Sequence, residues 1–353
     1  MPNWYSTREQ VKRGAGIAGD DQDFALDRLI EAVSRRIDGE TRRRFIPETA
    51  TRLYPWPQVV AGRAHVLWVS HDLCSVTTLQ TRAQDSSPTT IAAADYFLEP
   101  HYHGPPYNRI EIDLGSTAAL EASTSTSQRS VSVAGSWGYG NDTATAGTVA
   151  SGLASDAAAT SFVCSNASLV GVGDTLLIGS EQLFVSDRAF AVLGAILIDG
   201  ALTADKSEVT VTVDAGHGIL QGETIQVDSE RMYVSSVSGN NLTVIRAYDG
   251  TVLAAHSNNT AVQVNRTLTV VRGVNGTTAA VHANASAVSK YQPPADVVEL
   301  CVAEVIAAYH QEAAGWGRTV GMGEGVQEFR GSGLGDLRKR VIGSYRRLRT
   351  GTV

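Results

Sequence analysis

The chain has 353 residues, 43% of them hydrophobic, with a mean hydropathy of -0.07 and a net charge of -7. That is enough for two or three domains with proper cores, and no stretch approaches the roughly 18 apolar residues needed to cross a bilayer. The charge is uneven: residues 139–292 carry 7 cations against 13 acids, whereas Arg338–Val353 holds six cations and no acid. A cationic end on an acidic chain points to an anionic partner surface rather than to general nucleic-acid binding.

In chain order, Ser6 and Glu9 have capping-box spacing and predict a short helix to about Arg13, closed by Gly14, Gly16 and Gly19. Asp20, Asp21 and Asp23 then place negative charge where a helix dipole favours it. Leu26, Leu29, Ile30, Val33 and Ile37 follow at helical spacing, and Gly39 and Pro47 bracket the expected end. From Arg52 the period changes to two. Ala64–Val69, Ser75–Gln80, Asp95–Leu98, Arg109–Leu114 and Ser130–Ala134 read as short strands, with a polar loop at Ser116–Ser127.

Residues 140–291 contain two nested repeats. Gly173–Asp187 matches Gly222–Ser236 at an offset of 49, and Leu242–His256 matches Leu268–His282 at an offset of 26. The units alternate apolar and polar residues, and the second pair carries Asp249-Gly250 and Asn275-Gly276, dipeptides that give a strong hairpin signal. Units this small cannot bury a face alone, so they should pack into one sandwich or barrel-like body. Pro293 and Pro294 then start a helix with Val297, Val298, Cys301, Val305, Ala308 and Tyr309 on one side. A glycine-rich tether (Gly315, Gly317, Gly321, Gly323, Gly325) precedes a last helix. Leu334, Leu337, Val341, Tyr345 and Leu348 form its apolar face, opposite Arg338, Lys339, Arg340, Arg346, Arg347 and Arg349.

The expected fold is therefore α+β: a discontinuous domain (1–139 and 292–353), built as a small helical bundle with a β-sheet. An inserted all-β repeat domain occupies 140–291 and should project away as a decoration, because its two ends interrupt a short connection. Cys74, Cys164 and Cys301 match no metal or redox spacing and are expected as buried thiols, suiting a reducing cytoplasm during folding. The N-terminus has no apolar run, so no secretory signal is expected.

No chemical motif emerges. His101 and His103 lack a third ligand and read as a turn. His256 and His282 recur with Arg246 and Arg272 ten residues earlier, without a nucleophile or acid at matching spacing. They read as repeated structural hydrogen bonding at a turn. Tyr54-Pro55-Trp56-Pro57 is an aromatic corner. No catalytic, cofactor or metal residue is assigned. The final helix is the candidate site: a docking arm whose members are Leu334, Leu337, Arg338, Arg340, Val341, Tyr345, Arg346, Arg347, Leu348 and Arg349.

Several segments together resemble the head–tail connector (adaptor) proteins of long-tailed bacteriophages. They are Leu26–Phe45, Leu73–Gln80, Ala94–Pro100, Pro105–Ile112, Ser132–Gly140, Pro293–Glu304 and the terminal Gly343–Arg349. The family runs almost directly from the WGY turn to the Pro-x-Asp-Val helix, so 140–291 is a departure from it. The resemblance implies a non-enzymatic virion protein made in the host cytoplasm and placed at the neck, with no membrane contact. It implies a ring of copies, commonly twelve, between the portal protein and the stopper or tail-side neck proteins, with the carboxyl-terminal segment embracing the portal. Genomic DNA would pass through unread, in keeping with the acidic balance. The insert would widen contact with capsid or neighbouring connectors, or bind a glycan. The competing readings are a tail-associated receptor- or glycan-binding protein, and a hydrolase that would need an acid/base or metal cluster.

Overall fold

The structure, a computed structural model, describes residues 3–57, 64–197, 201–313, 319–320, 327–328 and 332–347. Helix α1 (Arg8–Ala15) and helix α2 (Asp23–Thr41) open the chain. The capping box of α1 sits one residue later than expected. Thr7 Oγ1 accepts from the Gln10 amide, and the Gln10 side chain accepts from the Thr7 N–H, while Ser6 turns inward to the Cys301 sulfur at 3.3 Å. Leu26, Leu29, Ile30, Val33 and Ile37 are all buried along α2, as their spacing requires. Gly39 does not end that helix. It runs to Thr41, and Arg42 caps it in the left-handed region with its N–H on the Asp38 carbonyl.

The first sheet has six antiparallel strands: β1 (Glu48–Tyr54), β2 (Val66–Thr81), β3 (Thr89–Ile91), β4 (Tyr96–Glu99), β5 (Tyr107–Ile112) and β6 (Val131–Trp137). Their order is β1-β6-β2-β5-β4, with β3 on β2. The two segments expected at 64–69 and 75–80 are one long strand with register shifts, pairing β5 by its first half and β6 by its second. One face of this sheet, together with Leu120 of the following loop, encloses an apolar core around Trp137, Leu73 and Ile110.

The strands from 143 to 291 are β7 (Thr143–Ser151), β8 (Ser161–Cys164), β9 (Thr175–Ile178), β10 (Glu181–Ile196), β11 (Thr210–Thr212) and β12 (Thr224–Val227). They continue as β13 (Glu230–Ser238), β14 (Asn241–Ile245), β15 (Ala261–Val271) and β16 (Ala287–Tyr291). Their pairing describes two small closed barrels that share β10 and β15. In the first, β7, β8, the distal half of β15, the proximal half of β10, β9 and β16 pair in a complete circuit. In the second, the other halves of β10 and β15 close with β12, β13, β14 and β11, the last joint being the Leu197↔Val213 bridge. Each barrel has its own core, one around Leu176, Val185 and Leu268, the other around Ile225, Val234 and Leu242. These are equivalent positions at the offsets 49 and 26. The second barrel is thus nested between the halves of the first.

After the barrels come helix α3 (Ala295–Ala313), the short pair β17 (Thr319–Val320) and β18 (Gln327–Glu328), and helix α4 (Ser332–Tyr345). The glycines of the expected tether lie outside the described residues. No described helix is long and apolar enough to cross a membrane.

The expected fold class needs correction. The chain is dominated by antiparallel sheets of six and ten strands, with four α-helices among the described residues. The helices form no free-standing bundle. Their shared apolar cluster joins Val11, Ile30, Val297, Val305 and Val341 to Val172, Phe184 and Val274 of the first barrel. Helical periodicity reports that a face is apolar, not what covers it, and here barrel residues cover part of it.

The barrels accordingly do not project away. The segment Asn3–Thr7 is buried where helices and first barrel meet, with Trp4 edge-on to Phe184 at 5.2 Å and the Arg8 N–H on the Val172 carbonyl. Gly276 reaches the first sheet so closely that a Cβ there would lie 2.1 Å from the Thr49 carbonyl oxygen.

Candidate functional site

Helix α4, the expected docking arm, lies against its own chain. Val341 is fully buried, and Leu334, Leu337 and Tyr345 pack half-buried on the cluster made by α2 and α3. Arg338 bonds Glu304 at 2.8 Å and also pairs with Glu40, while Arg36 pairs with the other Glu304 oxygen. The Tyr345 hydroxyl donates to Asp296 at 2.9 Å, and its ring stands edge-on to Phe45 and Tyr139 at 5.3 and 5.2 Å. Burial and then the Asp296 carboxylate push its pKa well above the usual phenol range. Arg347 follows the helix, its backbone N–H on Thr41 and its guanidinium on the Val69 carbonyl and Asp72. The described part of the apolar face read as a neighbour's docking surface, Leu334 to Tyr345, therefore packs on its own chain. Lys339, Arg340 and Arg346 are exposed on the outer side, and Leu348 and Arg349 lie outside the described residues.

The recurring histidines and arginines form two equivalent buried centres. In the first barrel, Glu181 accepts from Arg272 Nε and Nη2 at 2.7 Å each, from His282 Nε2 at 2.8 Å, and from the Gly273 and Ala280 amides at 3.0 Å. In the second, Glu230 accepts from Arg246 Nε and Nη2 at 2.8 and 2.9 Å, from His256 Nε2 at 2.9 Å, and from the Ala247 and Ala254 amides. Burial alone would raise both carboxyls. The converging donors, the arginine first among them, overcome it and hold each down to about 2. The sequence showed the arginines and histidines but not their carboxylates, which sit in the other repeat. The available signal was the glutamate common to both copies of the 49-residue offset. With their acceptor sites filled from within the chain, these centres are clasps that pin the segments following β15 and β14 to the starts of β10 and β13.

Other candidate features resolve simply. His101 and His103 fall on an exposed 3-10 turn, and Trp56 Nε1 donates to the Leu120 carbonyl at 2.7 Å. Cys74, Cys164 and Cys301 are free and buried. Among the described residues no group of three or more His, Cys, Asp or Glu side chains is placed to hold a metal ion.

Two features were not anticipated. Trp68 and Phe97, both more than half exposed, lie on the outer face of the first sheet, where the Arg109 guanidinium stands 5.3 Å from the Trp68 ring centroid. A cleft of about 870 Å³ separates α1 from the two barrels, lined by Arg8, Lys12, Arg188, Arg231, Tyr233 and Asp249 among others. No protein-family model matches this chain, and no curated protein matches it.

Proposed function

We propose that the chain is a non-enzymatic structural subunit of a tailed-phage neck. In this reading copies of it form a ring beneath the portal, coupling the head to stopper or tail-side proteins around a channel through which DNA passes. The carrying observation is that residues 4–46 and 297–345 meet in one apolar cluster, although the first sheet and both barrels lie between them in sequence. The segments that resemble head–tail connectors fall on α2, α3, the end of α4 and the first sheet, whose Asp72 pairs with Arg43 after α2 and Arg347 after α4. The buried carboxylates Glu181, Glu223, Glu230 and Glu304 are bound by donors of the same chain, as in a scaffold.

The apolar side of α4 serves its own chain, so the portal contact falls to the exposed Lys339, Arg340 and Arg346. Co-sedimentation with portal-bearing tailless heads tests this. The wild-type chain should pellet with the heads, and an Arg340→Glu/Arg346→Glu variant should remain in solution. Absence of wild-type binding would remove the reading. One observation favours the tail-associated, glycan-binding alternative: the exposed Trp68 and Phe97 beside Arg109 and Glu99. Glycan-array binding lost in Trp68→Ala would support that alternative instead.

A further inference from the structure

The two barrels present equivalent turns to the rest of the chain. Residues Val274–Gly276 of the first and Tyr248–Gly250 of the second are 3-10 turns with a left-handed residue at the same place, Asn275 (φ 55°) and Asp249 (φ 53°). Each is backed by the residue after the clasp glutamate, Gln182 and Arg231, whose N–H groups donate to Thr277 and Thr251 at 3.0 Å. The chemistry at the two tips differs. At the first, Asn275 exchanges amide hydrogen bonds with Asn3 at 2.9 Å in both directions, and its Nδ2 also donates to Gln182 at 2.8 Å. All three side chains are almost fully buried beside apolar Val274.

At the second tip the contact is ionic and partly exposed. Arg231 grips Asp20 with Nη1 at 3.1 Å and Nη2 at 2.8 Å, and bonds Asp249 at 2.8 Å. The Arg231 and Asp20 side chains are 24% and 58% exposed. Asp249 accepts the Gly19 N–H at 3.1 Å, and Lys12 Nζ stands 3.7 Å from Asp249 and from Asp20. No residue of the second barrel's core joins the helix cluster. Its other attachment is to the first barrel. There β10 and β15 run through register shifts, and Glu223 accepts from Arg266 and from the Ala167 N–H at 3.1 Å.

We propose that the second barrel is a hinged arm. It pivots at Glu223, Arg266 and the shared strands, and the Arg231–Asp20–Asp249–Lys12 cluster latches it to the α1–α2 loop. The equivalent amide contact of the first barrel is permanent. Ionic strength is the release: the Arg231–Asp20 pair, whose Asp20 side chain is 58% exposed, is weakened when salt shortens the screening length to about 3 Å at 1 M, whereas the buried amides of the first barrel carry no net charge to screen. Opening the latch widens the cleft between α1 and the barrels.

The test places spin labels on Glu31→Cys and Ser238→Cys, both exposed, and measures their distance by double electron–electron resonance. The native cysteines are buried. A single distance is expected at 50 mM NaCl and a second, longer one at 1 M NaCl. Arg231→Ala and Asp20→Asn should each raise the open population at low salt by up to about five-fold. The surface pair Arg28–Glu312 supplies a control, and Arg28→Ala should change nothing. An unchanged distribution at high salt overturns the proposal. Opening in Arg231→Ala but not in Asp20→Asn also overturns it, because that pattern marks a folding defect of the barrel rather than a released latch.

Discussion

Replacing Glu230 by Gln tests how far the clasp stabilises the second barrel. Five donors converge on this carboxylate, and an amide would turn its own N–H₂ group toward some of them. A carboxyl held at about 2 in the fold, against about 4.3 when unfolded, contributes roughly 3 kcal/mol at neutral pH. Breaking a buried ion pair from one side typically costs about 3–5 kcal/mol. A loss of about 3–5 kcal/mol is therefore expected for Glu230→Gln, and the same for Glu181→Gln in the first barrel.

Two probes separate the barrels in urea unfolding. None of the five tryptophans lies in residues 138–315, and Trp4 touches Phe184 of the first barrel. Glu230→Gln should lower the midpoint seen by far-ultraviolet circular dichroism and leave the tryptophan transition in place. Glu181→Gln should move both. The fold lowers these pKa values, so the stabilisation is complete above about pH 5. It is lost as pH falls from about 4.5 through about 2, and each Gln variant should flatten that acid dependence. A loss below about 1 kcal/mol, or equal movement of the tryptophan transition in both variants, would refute the clasp argument.

Three further outcomes follow from the packing. Joining Ala189 to Thr267, paired neighbours on β10 and β15, through an Asn-Gly turn should delete the second barrel and keep tryptophan fluorescence native. Replacing the whole of 141–290 by a short linker should give an unstable chain that binds a hydrophobic dye, because Trp4 and the helix cluster lose Val172, Phe184 and Val274; a stable, cooperative product would contradict this. Truncation after Gly333 should destabilise the protein by at least the roughly 1.5–3 kcal/mol of burying Val341, measured by thermal unfolding, whereas Arg340→Glu and Arg346→Glu should change stability by less than about 0.5 kcal/mol.

Local order was legible where one period governed a segment. Leu26 to Ile37 announced α2, and the 49- and 26-residue offsets announced a repeated β-unit. Strand β1 was missed; β2 was split because exposed Ser70 and His71 interrupt the alternation although the strand continues. The paired barrels were not legible: in a nested repeat, β10 and β15 each serve two barrels, and no periodicity assigns half a strand to each. Nor did sequence distinguish residues filling a barrel, such as Val185, from Phe184 beside it, which packs outward on Trp4. The α4 stripe was visible at Leu334, Leu337, Val341 and Tyr345. Its partner was not, since Glu40, Asp296 and Glu304 are nearby only after folding.

Electron micrographs of the purified protein, alone and mixed with portal-bearing heads, address the neck assignment most directly. Class averages should show rotationally symmetric rings that seat on the portal vertex, each subunit carrying its barrels beside the helices. A monodisperse single copy that neither closes into rings nor decorates that vertex would contradict it.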